Sequence, residues 1–162
     1  MSRGVSRSSA TAWWKAQELL ARRAHGTREL RDKLRQRGFP DIEIEPVIER
    51  LTAKGILDDR AFAGRLAEEY FYRRGYGWHA ILLRLRKKGL SPDLAAQACD
   101  EFFSTLSDDE LAVAIKRLLE KKKRRETDRR KLFAWLRNRG FRSREINLVL
   151  GRNDDQFLTP DD

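Results

Sequence analysis

Four positions in this chain carry a cation three times over, at a spacing of 51 residues: Arg22, Arg73 and Arg124; Arg23, Arg74 and Arg125; Arg35, Arg86 and Arg137; Arg37, Lys88 and Arg139. Guanidinium and ammonium groups at a fixed repeat donate hydrogen bonds to phosphate or carboxylate oxygens, and would follow an extended anionic partner. A purely structural use competes with that one. Arg35 and Arg37, like their counterparts, precede a glycine in the last turn of a helix, and Arg22 and Arg23 end another. A cation there opposes the helix dipole for about 0.3–1 kcal/mol. Helix ends do not require the excess in residues 116–144, which hold 14 basic and three acidic side chains, a net of +11. Lys121, Lys122, Lys123, Arg124 and Arg125 form an unbroken run there, and Arg129 and Arg130 follow closely. An anionic partner accounts for that segment better than a solvated helix face does.

Aromatic residues interleave with the charge in the second repeat, where Tyr70, Phe71, Tyr72, Tyr76 and Trp78 surround Arg73 and Arg74. Such mixtures suit base stacking or protein–protein anchoring. Phe71 and Trp78 are expected in the core, leaving Tyr72 and Tyr76 more open. Trp13–Trp14 should place one ring in the core and one outside.

Catalysis has little to build on. His25 and His79 stand beside turns, no metal-ligand spacing appears, and no cofactor is expected. The carboxylate pairs Asp58–Asp59 and Asp108–Asp109 fall where helix N-caps are expected, with Asp58–Asp59 and Ser107–Asp108 as the capping residues. Cys99 occupies an apolar repeat column and reads as packing. Gly75 and Gly77 lack phosphate-loop spacing. The chain is read as a non-enzyme.

These side chains need a repeated scaffold. Leu34, Leu85 and Leu136 align, as do Gly38, Gly89 and Gly140, within LRQRGF, LRKKGL and LRNRGF. Leu30, Ile81 and Leu132 fill another column. Ile44, Ala95 and Ile146 fill a third. Such a period means one supersecondary unit used three times. Each unit reads as three helices, near 12–24, 59–74 and 109–125 for the first, and 27–37, 78–88 and 128–139 for the second. The third helices follow the glycines, capped by Asp41, by Ser91 with Pro92, and by Ser143. The expected organisation is a disordered segment 1–11, repeats at 12–57, 58–107 and 108–152, and a loose acidic tail at 153–162. The predicted fold is all-α: three tandem three-helix repeats in an elongated, curved array.

Composition agrees. With 35 basic and 25 acidic residues the chain carries +10, which points toward nucleic acid or another acidic surface. Its longest apolar runs fall well short of a membrane span. The Ser/Arg-rich start lacks a signal core, and one cysteine fits a reducing cytosol.

The stretch from Leu57 to Ser91 resembles the signature of the RecX family of regulators. Leu57-Asp58-Asp59 with Arg60 and Phe62 carry the likeness, then Arg73, Gly77, Ile81, Leu85, Lys88 and Gly89. The first repeat is similar through Arg28-Glu29-Leu30, Leu34 to Phe39 and Gly55 to Asp58, and the third through Leu132 to Phe141 and Ile146 to Leu150. The resemblance implies a bacterial cytoplasmic protein that binds the RecA recombinase filament on single-stranded DNA, lies along its helical groove, and restrains its growth, ATP hydrolysis, strand exchange and coprotease action. Gly77-Trp78-His79 departs from the commoner Gly-Pro-x of the family, and the run 121–125 is unusually basic, which favours some direct DNA contact. A monomer is expected. The alternative is a sequence-nonspecific DNA-binding module competing for single strands.

Overall fold

A computed structural model describes residues 7–123 and 128–151. Within them the chain forms nine helices and no strand. Unit 1 comprises α1 (Arg7–Arg22), α2 (Thr27–Arg35) and α3 (Asp41–Ala53). Unit 2 comprises α4 (Asp59–Arg74), α5 (Trp78–Lys87) and α6 (Pro92–Ser104). Unit 3 comprises α7 (Asp108–Lys123), α8 (Arg129–Asn138) and α9 (Ser143–Leu150). The all-α repeat fold is as expected. Helix α1 begins five residues earlier than expected, inside the segment 1–11 read as disordered. Residues 1–6 of that segment, and the tail 153–162, lie outside the described residues.

Each second helix ends in the same way. Gly38, Gly89 and Gly140 have φ of +85°, +88° and +88°, the left-handed conformation that costs glycine nothing. The next residue's N–H then reaches back to the repeat leucine: Phe39 to the Leu34 carbonyl, Leu90 to Leu85, and Phe141 to Leu136, at 3.2–3.3 Å. Those three leucines are fully buried. Burying each contributes about 1.5–3 kcal/mol.

Three of the expected caps form. Asp58 accepts from the Ala61 N–H at 2.9 Å, Ser91 from Leu94 at 3.3 Å, and Ser107 from Glu110 at 3.2 Å. Two do not. Helix α3 starts behind Pro40 and α9 behind Arg142, so Asp41 and Ser143 are first helical residues rather than caps. Competition from the preceding helix explains both. Arg35 takes Asp41 through two hydrogen bonds of 2.7 and 3.0 Å, and Arg137 donates to the Ser143 hydroxyl at 2.8 Å. At α9 the Glu145 carboxylate accepts the Arg142 N–H instead, at 2.9 Å.

The apolar residues form two clusters. One joins α1, α2 and α3 around Leu30, Leu34, Ile44 and Leu51. The other runs through units 2 and 3 and includes Phe71, Ile81, Cys99, Ile115, Leu136 and Ile146. Unit 1 meets unit 2 where Asp59 accepts the Thr27 N–H at 2.7 Å. Asp59 thereby serves the first turn of α2. Units 2 and 3 meet backbone to backbone. The Gly77 N–H donates to the Arg139 carbonyl at 2.8 Å, and the His79 N–H to the Gly140 carbonyl at 3.1 Å.

Candidate interaction grooves

The four repeated cation columns have different fates in the three units. In unit 1 they are paired. Arg22 bonds Glu18 at 2.8 Å, Arg23 bonds Glu29, Arg35 bonds Asp41, and Arg37 donates to the Lys33 carbonyl at 2.7 Å. Arg35 in turn holds the Asp41 carboxyl below its ordinary pKa. In unit 3, Arg137 is held by Ser143. Arg139 donates to the Gly75 and Arg74 carbonyls at 3.2 and 3.0 Å, closing the C-terminus of α4. Arg129 does the same for α9, bonding the Leu150 carbonyl at 2.9 Å. Arg130 is exposed. Lys122 and Lys123 lie in the last turn of α7, whereas Arg124 and Arg125 lie outside the described residues.

The middle unit is the exception. Arg73, Arg74 and Arg86 are exposed, and none has an ion-pairing carboxylate among the described residues. The reason for Arg86 is local. Arg35 and Arg137 each grip the residue six positions on. For Arg86 that position is Pro92, whose side chain accepts nothing. Lys88 is half-exposed, and its charge helps hold the Glu29 carboxyl down.

These cations open onto two grooves, one on each side of unit 2. The first, about 630 Å³, lies between α2, which contributes Arg28, Glu29, Asp32 and Lys33, and the C-terminal end of α5, which contributes Arg84, Arg86, Lys87 and Lys88. The second, about 680 Å³, lies between α4 and α7. Tyr72, Arg73 and Arg74 line one wall, Val113, Arg117, Leu118 and Lys121 the other, and Arg139 and Phe141 close one end. Asp109 and Glu110, in the first turn of α7, also line it, so its surface mixes apolar groups with cations in excess over carboxylates. Val113 and Arg117 were not among the residues expected to bind. The sequence does carry a signal for them, since 113, 117 and 121 recur at the four-residue spacing of one helix face.

Of the two tyrosines expected to be open, one is. Tyr72 is 60% exposed, with its ring edge-on to Phe71 and Phe102 at 5.0 and 6.0 Å. Tyr76 is covered by the Arg84 guanidinium, 3.5 Å from its ring centre. Phe71 is buried, and Trp78 donates to Asp100 at 2.8 Å. Trp13 is half-buried under Arg50, and Trp14 is 72% exposed.

The remaining reactive groups are occupied structurally. Asp58 and Asp59 cap helices, and Asp108 lies 3.3 Å from Arg144. Burial pushes His25 below its ordinary pKa, and its Nδ1 sits 2.8 Å from the Arg23 carbonyl. Burial pushes the Cys99 thiol up to about 12, far from a nucleophile's range. No helix among the described residues is long and apolar enough to cross a membrane.

Comparison with known proteins gives this geometry a family. Residues 12–51 match the model of the first three-helix domain of RecX, and residues 58–98 that of the second. Regulatory protein RecX of Pelodictyon phaeoclathratiforme is 36% identical over 148 residues, covering 87% of this chain and 91% of that protein. Its counterpart from Prosthecochloris aestuarii is 36% identical over 137 residues, covering 85% and 87%. The crystal structure of RecX from Lactobacillus salivarius superposes with a TM-score of 0.75 at 19% identity, over 88% of this chain and 94% of that one. A second regulatory protein RecX structure gives 0.73 at 22% identity, over 88% and 71%. The helices, the three repeated units and the sequence likeness agree: this chain belongs to the RecX family of regulatory proteins.

Proposed function

We propose that this protein is a non-enzymatic cytoplasmic regulator that binds the RecA filament on single-stranded DNA as a monomer and restrains its recombinase, ATPase and coprotease activities, including those serving the SOS response. The observation that carries this reading is the middle unit, whose unpaired cations and exposed Tyr72 face grooves on both sides. A filament presents the same surface repeatedly along its axis, which suits a protein built from repeated units. The action is occupation: a bound chain fills space that duplex DNA or a client protein would need. Exposed ion pairs contribute only about 0–1 kcal/mol each, so the rim sets encounter rate and partner choice while Tyr72 and the groove floor hold the complex.

The test compares binding to naked single-stranded DNA and to the RecA filament at one salt concentration. The variant Arg117→Gln/Lys121→Gln keeps good helix formers on an exposed face. Filament binding should weaken with the melting temperature unchanged. A second variant changes Lys121, Lys122, Lys123, Arg124 and Arg125 to Gln. Its binding to naked strands should fall most, with a salt slope flatter by up to about 0.7 per lost phosphate contact. Equal loss of both partners would favour a DNA-binding module over a filament regulator.

A further inference from the structure

The two seams between units use the same repeat positions, yet only one is closed by backbone. Between units 2 and 3, the Gly77 and His79 N–H groups donate to the Arg139 and Gly140 carbonyls. One repeat earlier the corresponding residues are Gly26, Arg28, Lys88 and Gly89, and neither backbone bond forms among them. The Arg28 side chain lies there instead, its Cδ 3.0 Å from a Cβ built on Gly89. The α2/α5 groove is the space left by this open seam, about 630 Å³. That volume falls within the roughly 300–1,000 Å³ of small-molecule sites.

The charges along this seam do not cancel. Two carboxylates line it, and both are already engaged. Arg23 bonds Glu29, and Arg35 lies 3.3 Å from Asp32; neither arginine lines the groove. Among the groove's own cations, Lys33 shares Glu29 at 4.0 Å, while Arg84 donates to the Ala80 carbonyl and covers Tyr76. Arg28, Arg86, Lys87 and Lys88 have no ion-pairing carboxylate among the described residues. Arg28 belongs to unit 1 and the other three to unit 2, so uncompensated charge stands on both sides of the seam.

A ligand that matches these cations brings several negative charges close together. A lone carboxylate answers one of them. A phosphate chain carries charge on every phosphate, and its oxygens meet a guanidinium fork two at a time. We propose that the seam between units 1 and 2 binds a short phosphate chain, held by Arg28 on one side and by Arg86, Lys87 and Lys88 on the other, and that the ligand ties these units together where units 2 and 3 use backbone hydrogen bonds. A free oligophosphate, a nucleotide tail and the backbone of a single strand share this chemistry. The site exists only while both units are folded and apposed, so its ligand stabilises whichever of them opens first. None of this depends on filament binding.

The test is calorimetric titration of the full chain with tripolyphosphate at fixed ionic strength. Saturable uptake of one tripolyphosphate per chain is expected. Arg28→Gln/Lys87→Gln removes one cation from each side and should weaken binding at least about tenfold. Lys54→Gln/Arg65→Gln removes the same charge at exposed positions outside the groove and should change affinity by less than about twofold. Equal losses in the two variants would mean diffuse attraction to a basic protein and would overturn the proposal, as would uptake that never saturates. In urea, tripolyphosphate should move the first unfolding transition of the parent chain to higher denaturant and leave that of Arg28→Gln/Lys87→Gln in place. Uptake without this shift would put the ligand away from the seam and equally overturn it. Adding single-stranded oligothymidylate to the loaded protein then separates the sources. Displacement identifies a strand's backbone as the occupant, and retention a free phosphate chain; either keeps phosphate in the seam.

Discussion

Gly140 lies against the backbone of Ala80, so that a Cβ built on Gly140 would stand 2.3 Å from the Ala80 nitrogen. Gly38, the same residue of unit 1, has the same left-handed backbone but nothing within 4 Å. The two positions separate conformational strain from interface packing. Gly38→Ala should cost about 1–2 kcal/mol, the left-handed penalty alone. Gly140→Ala adds a clash with backbone that cannot move aside, and it displaces the hydrogen bonds from Gly77 and His79. A loss of about 3 kcal/mol or more is expected. Urea titration of the two variants checks this; equal losses would show that the contact between units 2 and 3 contributes little.

Tyr72 and Tyr76 should behave oppositely. Tyr72→Ala removes an exposed ring with two edge contacts, so stability should fall by no more than about 1 kcal/mol. Filament affinity should fall by about 30-fold if Tyr72 is an anchor worth about 2 kcal/mol. Tyr76→Ala uncovers Arg84 and loosens the ring's packing against Tyr70. It should destabilise the chain while leaving the affinity of the folded fraction unchanged. Thermal melts beside filament titrations distinguish the two.

Glu145 gives the stability a pH dependence. It is 6% exposed, and burial pushes its pKa above the ordinary carboxyl value, although the Arg142 N–H and the nearby arginines pull it back. Its folded pKa therefore lies above its unfolded one. The stability linked to this group is fully present below the unfolded value and is lost as pH rises through the folded value. Glu145→Gln keeps an acceptor for the Arg142 N–H without burying a charge. It should melt higher than the parent chain at pH 7, with the difference vanishing below about pH 4, under the unfolded carboxyl range. Melting temperatures across that interval test the sign.

Three units in series, joined by short turns, should scatter as an extended particle. The radius of gyration is expected to exceed the roughly 15 Å of a globule of this length. A value at or below that figure would exclude an elongated array.

Helix placement was legible because each signal was local. A leucine column, a left-handed glycine and a capping side chain lie within a few residues of what they control. Asp41 and Ser143 were misread as caps for the opposite reason. An arginine six residues upstream competes for each, and cap preferences carry no information about it. The cation columns were visible, but which members are paired depends on neighbouring helices. Arg139 is spent on the carbonyls of α4, a different unit, which no comparison of repeats reveals. Pro92 at the partner position of Arg86 could have been read from the sequence, because it breaks a pattern kept by the other two units. The α4/α7 groove could not, since it exists only once two units are stacked.

The two separate apolar clusters make the chain two cooperative blocks rather than three. Denaturant should release unit 1 and the fused pair of units 2 and 3 as distinct steps. The single thiol belongs to the larger block and is fully buried there. Alkylation of Cys99 therefore waits for that block to open and is blind to the other. The native sequence thus contains a built-in clock for one block of its own unfolding.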